Sequence, residues 1–307
     1  MAVGRLRLKT RGYDFPPWRP PSEAWSLLLR VTRGCPWNKC TFCEMYKTMS
    51  FERRPLEEIL GDIEAARQWY GQEVRWVFIG DSDSLVVRPS FLVEVLRALY
   101  RAFPHLERVT SYARAKTLRK RRLEDLKELR RAGLTRLHVG LESGDREVLE
   151  AISKGVTPEE VIEAGRKAKE AGFELSLYVI LGIGGKERWR QHASGTARVL
   201  NQVDPHFIRV RTLVPRPGTP LYEQWQRGDF VMAEPEEILQ EEERLVEDLE
   251  VTSHFLSDHI SNYLPVEGKL PEDKERMLSM IRGGLEALRK DPSLKERYRQ
   301  KAYLASL

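Results

Sequence analysis

The chain has three cysteines, and all of them fall in the stretch RGCPWNKCTFC (Arg33–Cys43). Cys35, Cys40 and Cys43 are spaced C-x4-C-x2-C, too few and too close together for a disulfide framework. As a metal-ligand set they are one short of a closed structural zinc site, which takes four donors. A histidine would have to complete it, and the nearest in sequence, His105, is far along the chain. A cubane 4Fe–4S cluster normally takes four cysteines. Held by only three, it keeps one iron with an open position, where a substrate or cofactor can bind and be reduced. Redox-sensing thiols are the remaining alternative, although a sensor has little use for three cysteines in one loop.

The elements around this loop must position it. SLLLRVTRG (Ser26–Gly34) reads as a buried strand ending at a glycine, so Cys35 sits just past a strand's C-terminal end. Strand patterns recur at Glu73–Asp81, Arg108–Arg114, Arg136–Ser143, Glu174–Gly182 and Phe207–Val214. Helical patterns intervene at Pro55–Gly71, Pro89–Pro104, Arg122–Gly133, Pro158–Gly172 and Glu187–Val203, several opened by proline and stopped by glycine. Strands alternating with helices through short loops imply a parallel sheet with right-handed crossovers.

The strands also alternate. RLHVGLES places Leu137, Val139 and Leu141 on one side and Arg136, His138, Gly140 and Glu142 on the other; FIRVRTLV sets Ile208 and Val210 against Arg209 and Arg211. An open sheet covered on both faces would give continuous apolar runs. The expected fold is therefore α/β, a partial (βα)6 TIM-type barrel with a wet lumen and its chemistry at the strands' C-terminal ends. The expected organisation is an N-terminal extension over 1–25, a core barrel over 26–225 and a helical C-terminal extension over 226–307. In that extension Glu234–Leu256 and Pro271–Asp291 read as helices, and His254, Asp258 and Asn262 would share a helical stripe that either makes ordinary polar contacts with the barrel rim, the preferred reading, or caps the barrel toward substrate.

The cysteine loop resembles the cluster loop of the radical S-adenosylmethionine (SAM) superfamily. The usual spacing there is C-x3-C-x2-C with an aromatic residue before the last cysteine, a place Phe42 takes. The departure is one extra residue in PWNK, between Cys35 and Cys40. The resemblance runs from about Leu28 to Glu223. HVGLESGDREVLEAISKG (His138–Gly155) is similar to the fourth-strand motif of the branch containing methylthiotransferases, the elongator catalytic subunit and oxygen-independent coproporphyrinogen oxidase. PRPGTPLYE (Pro215–Glu223) matches the segment after the sixth strand in that branch. The resemblance implies a 4Fe–4S cluster on Cys35, Cys40 and Cys43, and SAM as the second cofactor. It implies SAM contacts at Phe42, at GDSDSL (Gly80, Asp81, Ser82, Asp83), where the usual Gly-Gly-Glu is missing, at Ser111, at Glu142 and Lys154, and at Gly182 and Gly184 of GIGGKE. It also implies an electron donor such as flavodoxin or ferredoxin, and a deoxyadenosyl radical that takes hydrogen from the substrate.

Strand parity sends Arg30, Tyr112, His138, Tyr178, Arg209 and Arg211 into the lumen. Arg209 and Arg211 suit an anionic group of a small-molecule substrate; pairing with Asp81, Asp83 or Glu142 is the competing expectation. Net charge is +5, from 51 basic and 46 acidic residues. The basic run Arg114–Gly133 reads as a solvated helix face, so no nucleic-acid partner is expected. No apolar run of spanning length occurs, the polar, proline-rich opening reads against a secretory leader, and a reducing cytoplasm is the expected setting. Three functions stay open: a radical enzyme acting on a small molecule, an RNA- or protein-modifying relative, and a non-catalytic iron–sulfur carrier or chaperone.

Overall fold

Six strands run parallel in sequence order: β1 (Leu27–Arg30), β2 (Trp76–Gly80), β3 (Arg108–Ala113), β4 (Leu134–Glu142), β5 (Glu174–Leu181) and β6 (Phe207–Thr212). Each pairs with its neighbour, from Leu27 opposite Val77 to Leu181 opposite Thr212, with one register shift where β3 meets β4 and one where β4 meets β5. The structure, a computed structural model, describes residues 18–301. Most of the expected N-terminal extension, residues 1–17, lies outside the described residues. The fold is the expected partial barrel of α/β type.

The crossovers are α1 (Leu56–Tyr70), α2 (Pro89–Ala102), α3 (Ala115–Lys120) with α4 (Leu123–Arg131), α5 (Arg146–Ala151) with α6 (Pro158–Glu170), and α7 (Gly185–Val203). Sequence patterns locate all of these except α3 and α5, which are six residues each and too short for a periodicity to show. Proline at the first turn opens α2 and α6. A reciprocal cap between Thr157 and Glu160 adds to the start of α6.

Outward-facing strand residues meet these helices. Val77, Ile79, Leu137, Val139, Leu175, Leu177, Ile208 and Val210 are all 1 % exposed or less. Each such side chain contributes about 1.5–3 kcal/mol on burial. The opposite row is less wet than the alternation suggests. Phe78, Thr110, His138 and Ser176 are fully buried, and the turn Pro21–Glu23 pushes the Glu23 carboxylate in beneath them. Side chains fill the floor of a small barrel, leaving room only near the strands' C-terminal ends.

The expected helical extension beyond residue 226 is corrected. After α8 (Pro220–Arg227) and α9 (Pro235–Asp248), strand β7 (His254–Ser257) adds to β6 in parallel. Strand β8 (Val266–Lys269) then returns antiparallel to it, followed by α10 (Lys274–Lys290) and α11 (Pro292–Lys301). The sheet therefore has eight strands. The helix expected over Glu234–Leu256 ends at Asp248 because the burial period changes. Leu249, Val251, Ser253, Phe255 and Ser257 are buried at every second position, the period of a strand. His254, Asp258 and Asn262 consequently share no helical stripe. Among the described residues no helix is long and apolar enough to cross a membrane.

The turn after β4 packs directly on α7. A Cβ at Gly144 would lie 2.1 Å from the Gly195 carbonyl oxygen, and one at Gly195 would lie 2.9 Å from that of Gly144. Gly144→Ala should therefore cost about 1–3 kcal/mol through overpacking. Gly283→Ala in α10, where nothing lies within 4 Å, should be neutral or slightly stabilising. Urea unfolding midpoints of the two variants test this; equal midpoints would remove the close contact.

Candidate active site

The cysteine loop leaves β1 and returns through a two-residue antiparallel ribbon, with Thr32 opposite Arg53 and Arg33 opposite Glu52. An Arg33–Glu52 ion pair and the Arg54 N–H donated to the Val31 carbonyl (3.0 Å) close its base. Gly34 takes φ +74 there, and a Cβ would lie 2.9 Å from the Ser50 carbonyl oxygen, so only glycine fits. The three cysteines carry no disulfide and are half-buried. Burial pushes the Cys40 thiol up, with Lys154 opposing the shift and Glu142 adding to it. Burial likewise pushes Cys43 up to about 11. Cys40 also feels the charge of Cys35, and Cys43 that of both Cys40 and Cys35, which places the three thiols near one another.

The extra residue of this loop has a clear seat. Trp37 donates its indole N–H to the Ser153 carbonyl (2.8 Å), and Lys39 and Arg114 each lie 5.1 Å from its ring centre. Gly155 is bare where Trp37 lies, since a Cβ would come within 2.4 Å of the ring. Asn38 turns left-handed at φ 49, donates its backbone N–H to the Cys35 sulfur (3.3 Å) and its side-chain amide to the Tyr46 carbonyl (2.7 Å). The Thr41 N–H reaches the Ile152 carbonyl at 2.9 Å, and Thr41's own carbonyl accepts from Leu221 at 3.0 Å. Phe42 packs with Val148, Leu149, Ile152, Ile183, Leu213 and Leu221 between α5 and the ends of β5 and β6.

The GDSDSL turn is held tightly. Arg30 grips both oxygens of Asp81 at 3.1 and 2.8 Å, and both side chains are almost fully buried. Ser82 donates to the Gly34 carbonyl (3.2 Å). Asp83 accepts from Thr117 (2.5 Å) and the Arg114 N–H (3.3 Å), and burial pushes its carboxyl up to about 6. Gly80 lies against Leu28, which a Cβ would meet at 2.9 Å. Ser111 donates to the carbonyls of Ile79 and Tyr112.

At the end of β4 the register slips between Gly140 and Glu142, and Glu142 takes φ 63. Its carboxylate folds back over Gly140, where a Cβ would fall 2.0 Å from Oε1. Lys154 donates to that same oxygen at 2.6 Å. Burial would lower the Lys154 ammonium, but Glu142 and Cys40 outweigh it and the net shift is upward. Lys154 therefore stays charged, 6.0 Å from the Phe42 ring centre.

Behind this pair lies a buried chain that the sequence did not single out. Glu241 of α9 accepts the Gly182 N–H at 3.0 Å and approaches His192 Nε2 at 3.0 Å. His192 Nδ1 meets the Ser143 hydroxyl at 2.7 Å. The chain links the ends of β4 and β5, where Glu142 and Gly182 sit, through α7 and α9. Its only sequence signal was a pair of polar residues at core positions of two amphipathic helices. Gly182 takes φ +77, and Gly184 begins α7, where a Cβ would meet the Arg188 backbone at 3.2 Å.

The lumen candidates divide by depth. His138 is fully buried, with Nδ1 3.2 Å from the Tyr178 hydroxyl and Nε2 3.4 Å from Glu23. Burial pushes it down, so it is neutral. Tyr112 packs edge-on against Phe78 with ring centres 5.0 Å apart, and burial pushes its hydroxyl up. Tyr178, pushed up to about 12 by burial, stays protonated beside Arg211, which lies 5.6 Å from its ring centre. The alternative pairing of Arg209 and Arg211 is not made, because Asp81 faces Arg30, Asp83 faces Thr117 and Glu142 faces Lys154. The basic run is largely paired within the chain: Lys116 and Arg119 with Glu160, and Arg121 with the carbonyls of Leu85 and Val87.

The family model described as the radical SAM superfamily matches residues 29–192. An uncharacterised methyltransferase of Pyrococcus horikoshii is 23% identical over 201 residues, 64% of this chain and 41% of that protein. The heme chaperone HemW of Bacillus subtilis is 25% identical over 196 residues, 62% of this chain and 51% of that protein. The chain thus spans about half or less of these curated relatives. Among solved structures, coproporphyrinogen III oxidase of Escherichia coli superposes with a TM-score of 0.52 at 18% identity, covering 72% of this chain and 52% of that one. That likeness is one of fold.

Asp83 gives a pH test. Its carboxyl binds protons more tightly folded (about 6) than in an unfolded chain, where it has the ordinary aspartate value of 3.8, so stability should fall as pH rises through that window and level off above it. Asp83→Asn should flatten this part of the profile, measured as unfolding free energy from pH 4 to 7. An unchanged slope would assign the dependence to other carboxylates.

Proposed function

We propose, from the premise that this chain belongs to the radical SAM superfamily, that Cys35, Cys40 and Cys43 hold one 4Fe–4S cluster and that SAM lies beside it. The donor set fits. Three thiols without a disulfide share one loop just past a strand end. Thiolates that each serve a different iron have that arrangement. Such a cluster, once reduced, would supply the electron that cleaves a carbon–sulfur bond of SAM, releasing methionine and a deoxyadenosyl radical able to take a hydrogen atom from the substrate.

The chain's own residues bind and orient. The observation that carries the reading is the Glu142–Lys154 pair, folded over Gly140 within electrostatic reach of Cys40. A zwitterionic cofactor needs a cation for its carboxylate and an acceptor for its hydroxyl or ammonium groups, and this pair offers both. Phe42, Gly182 and Gly184 would flank the adenine, and Gly80 to Asp83 with Ser111 would form the opposite wall. Below, the lumen takes a small-molecule substrate with an anionic group on Arg209 and Arg211, and the filled floor excludes water from the radical. An electron donor of flavodoxin or ferredoxin type would supply the reducing electron.

Anaerobic reconstitution should give an iron–sulfur absorption band and deoxyadenosine formation from SAM under reduction. Cys40→Ala should lose both; a retained cluster would overturn the ligand assignment. A cluster without deoxyadenosine would favour a carrier over an enzyme. Lys154→Met should weaken SAM binding by about 10–100-fold, the loss of one charge-assisted hydrogen bond, while the cluster band remains. Equilibrium dialysis with labelled SAM measures it.

A further inference from the structure

The charges inside the barrel do not balance. Arg30 is matched by Asp81, and Arg136 by Glu174 at 2.9 Å. Glu23 is matched by Ser26 at 2.6 Å and Arg108 at 3.4 Å, beside a neutral His138. Glu142 and Lys154 neutralise each other. Arg209 and Arg211 remain. Among the described residues, neither has a carboxylate within ion-pair distance or a hydrogen-bond acceptor. Arg209 is 9 % exposed, and its Nε is buried with no partner. Their closest electronic partners are rings: Phe207, 6.0 Å from Arg209, and Tyr178, 5.6 Å from Arg211.

A buried guanidinium with no partner is costly unless an anion completes it. Arg209 is such a group, and the half-buried Arg211 stands two residues on along the same face of β6, about 6.6 Å away. One carboxylate would satisfy one fork and leave the other charge uncompensated. A phosphate monoester carries close to two negative charges at neutral pH and has three oxygens to share between two forks. The segment after β7 adds a third group, His259. Its Nδ1 is occupied by the Ser261 hydroxyl at 2.8 Å, and it feels the charges of Arg211 and Arg216, with Asp258 opposing them. Arg216 is itself tied to Glu44, just past the last cysteine, at 3.2 Å.

We propose that Arg209 and Arg211 bind the phosphate of a phosphate-monoester substrate, with His259 closing the site from the C-terminal segment. This rests on the reading of the lumen as the substrate chamber, and it fixes the substrate's orientation. The phosphate lies against β6, below the strand ends, and the carbon skeleton rises toward the cysteine loop.

The test uses the full chain, reconstituted with iron and sulfide and free of SAM, titrated by calorimetry at constant ionic strength with inorganic phosphate, acetate and succinate. Phosphate should bind at least tenfold tighter than acetate or succinate. Arg209→Met and Arg211→Met should each weaken phosphate by tenfold or more. Without phosphate, Arg209→Met should raise the melting temperature, because an unpaired buried charge has gone; a purely structural arginine would show a fall. Arg211→Lys, which keeps the charge but loses the fork, should retain part of the affinity and guards against misfolding of the methionine variants. Phosphate binding no tighter than acetate, binding unchanged by either methionine variant, or preference for succinate would each overturn the proposal. The cluster band and deoxyadenosine assay report separately. A chain that binds phosphate but holds no cluster fails the enzyme reading alone, and one that cleaves SAM but ignores phosphate fails this one alone.

Discussion

The buried pair of Arg30 and Asp81 is the constraint on which the site depends. Its two hydrogen bonds join the C-terminal ends of β1 and β2 where almost no water reaches. Removing one partner would strand a charge and cost about 3–5 kcal/mol. The same residue fixes the other end of the cysteine loop, because the Arg30 carbonyl accepts from Arg54, which is itself paired with Asp62 at 2.6 Å. A loop without strands or helices of its own is thereby referenced at its departure and its return to one rigid point of the barrel. The thiols need no further scaffold than Trp37, Asn38 and Thr41 provide.

A second constraint is backbone strain at the strand ends. Asp81 and Glu142 both adopt left-handed conformations, at φ 67 and 63, that side-chain-bearing residues rarely take. Such strain persists where surrounding contacts over-determine it. Here the contacts are Arg30 for Asp81 and Lys154 for Glu142, with the Ser143–His192–Glu241 chain holding the turn behind. Two carboxylates, one just past the end of β2 and one at the end of β4, are thus each held by a basic partner.

Much of this could be read from the sequence, for identifiable reasons. Strands such as Arg136–Ser143 and Phe207–Val214 alternate with a period of two, and most helices have proline or glycine at their boundaries, so element type and order follow from local chemistry. The cysteine spacing stood out because all three cysteines fall in one loop past a strand end, and Glu142 with Lys154 because the segment His138–Gly155 resembles a known fourth-strand motif. The Ser143–His192–Glu241 chain was not legible: its members lie up to 98 positions apart, and each alone resembles an ordinary helix or turn residue. The close approach of Gly144 to Gly195 was hidden for the same reason. The strand at His254–Ser257 was missed because the acidic helix before it runs into an alternating segment with no glycine or proline between them.

The eighth and seventh strands have a consequence for how such a protein can change over generations. The superfamily match ends at residue 192, whereas Arg209, Arg211 and His259 all follow it. The wall built by β6 and β7 belongs to a different stretch of chain from the thiols, Glu142 and Lys154. Mutations there can retune what the chamber admits while the machinery at the cysteine loop is left untouched, so new specificities are reachable by drift in the last third of the gene alone.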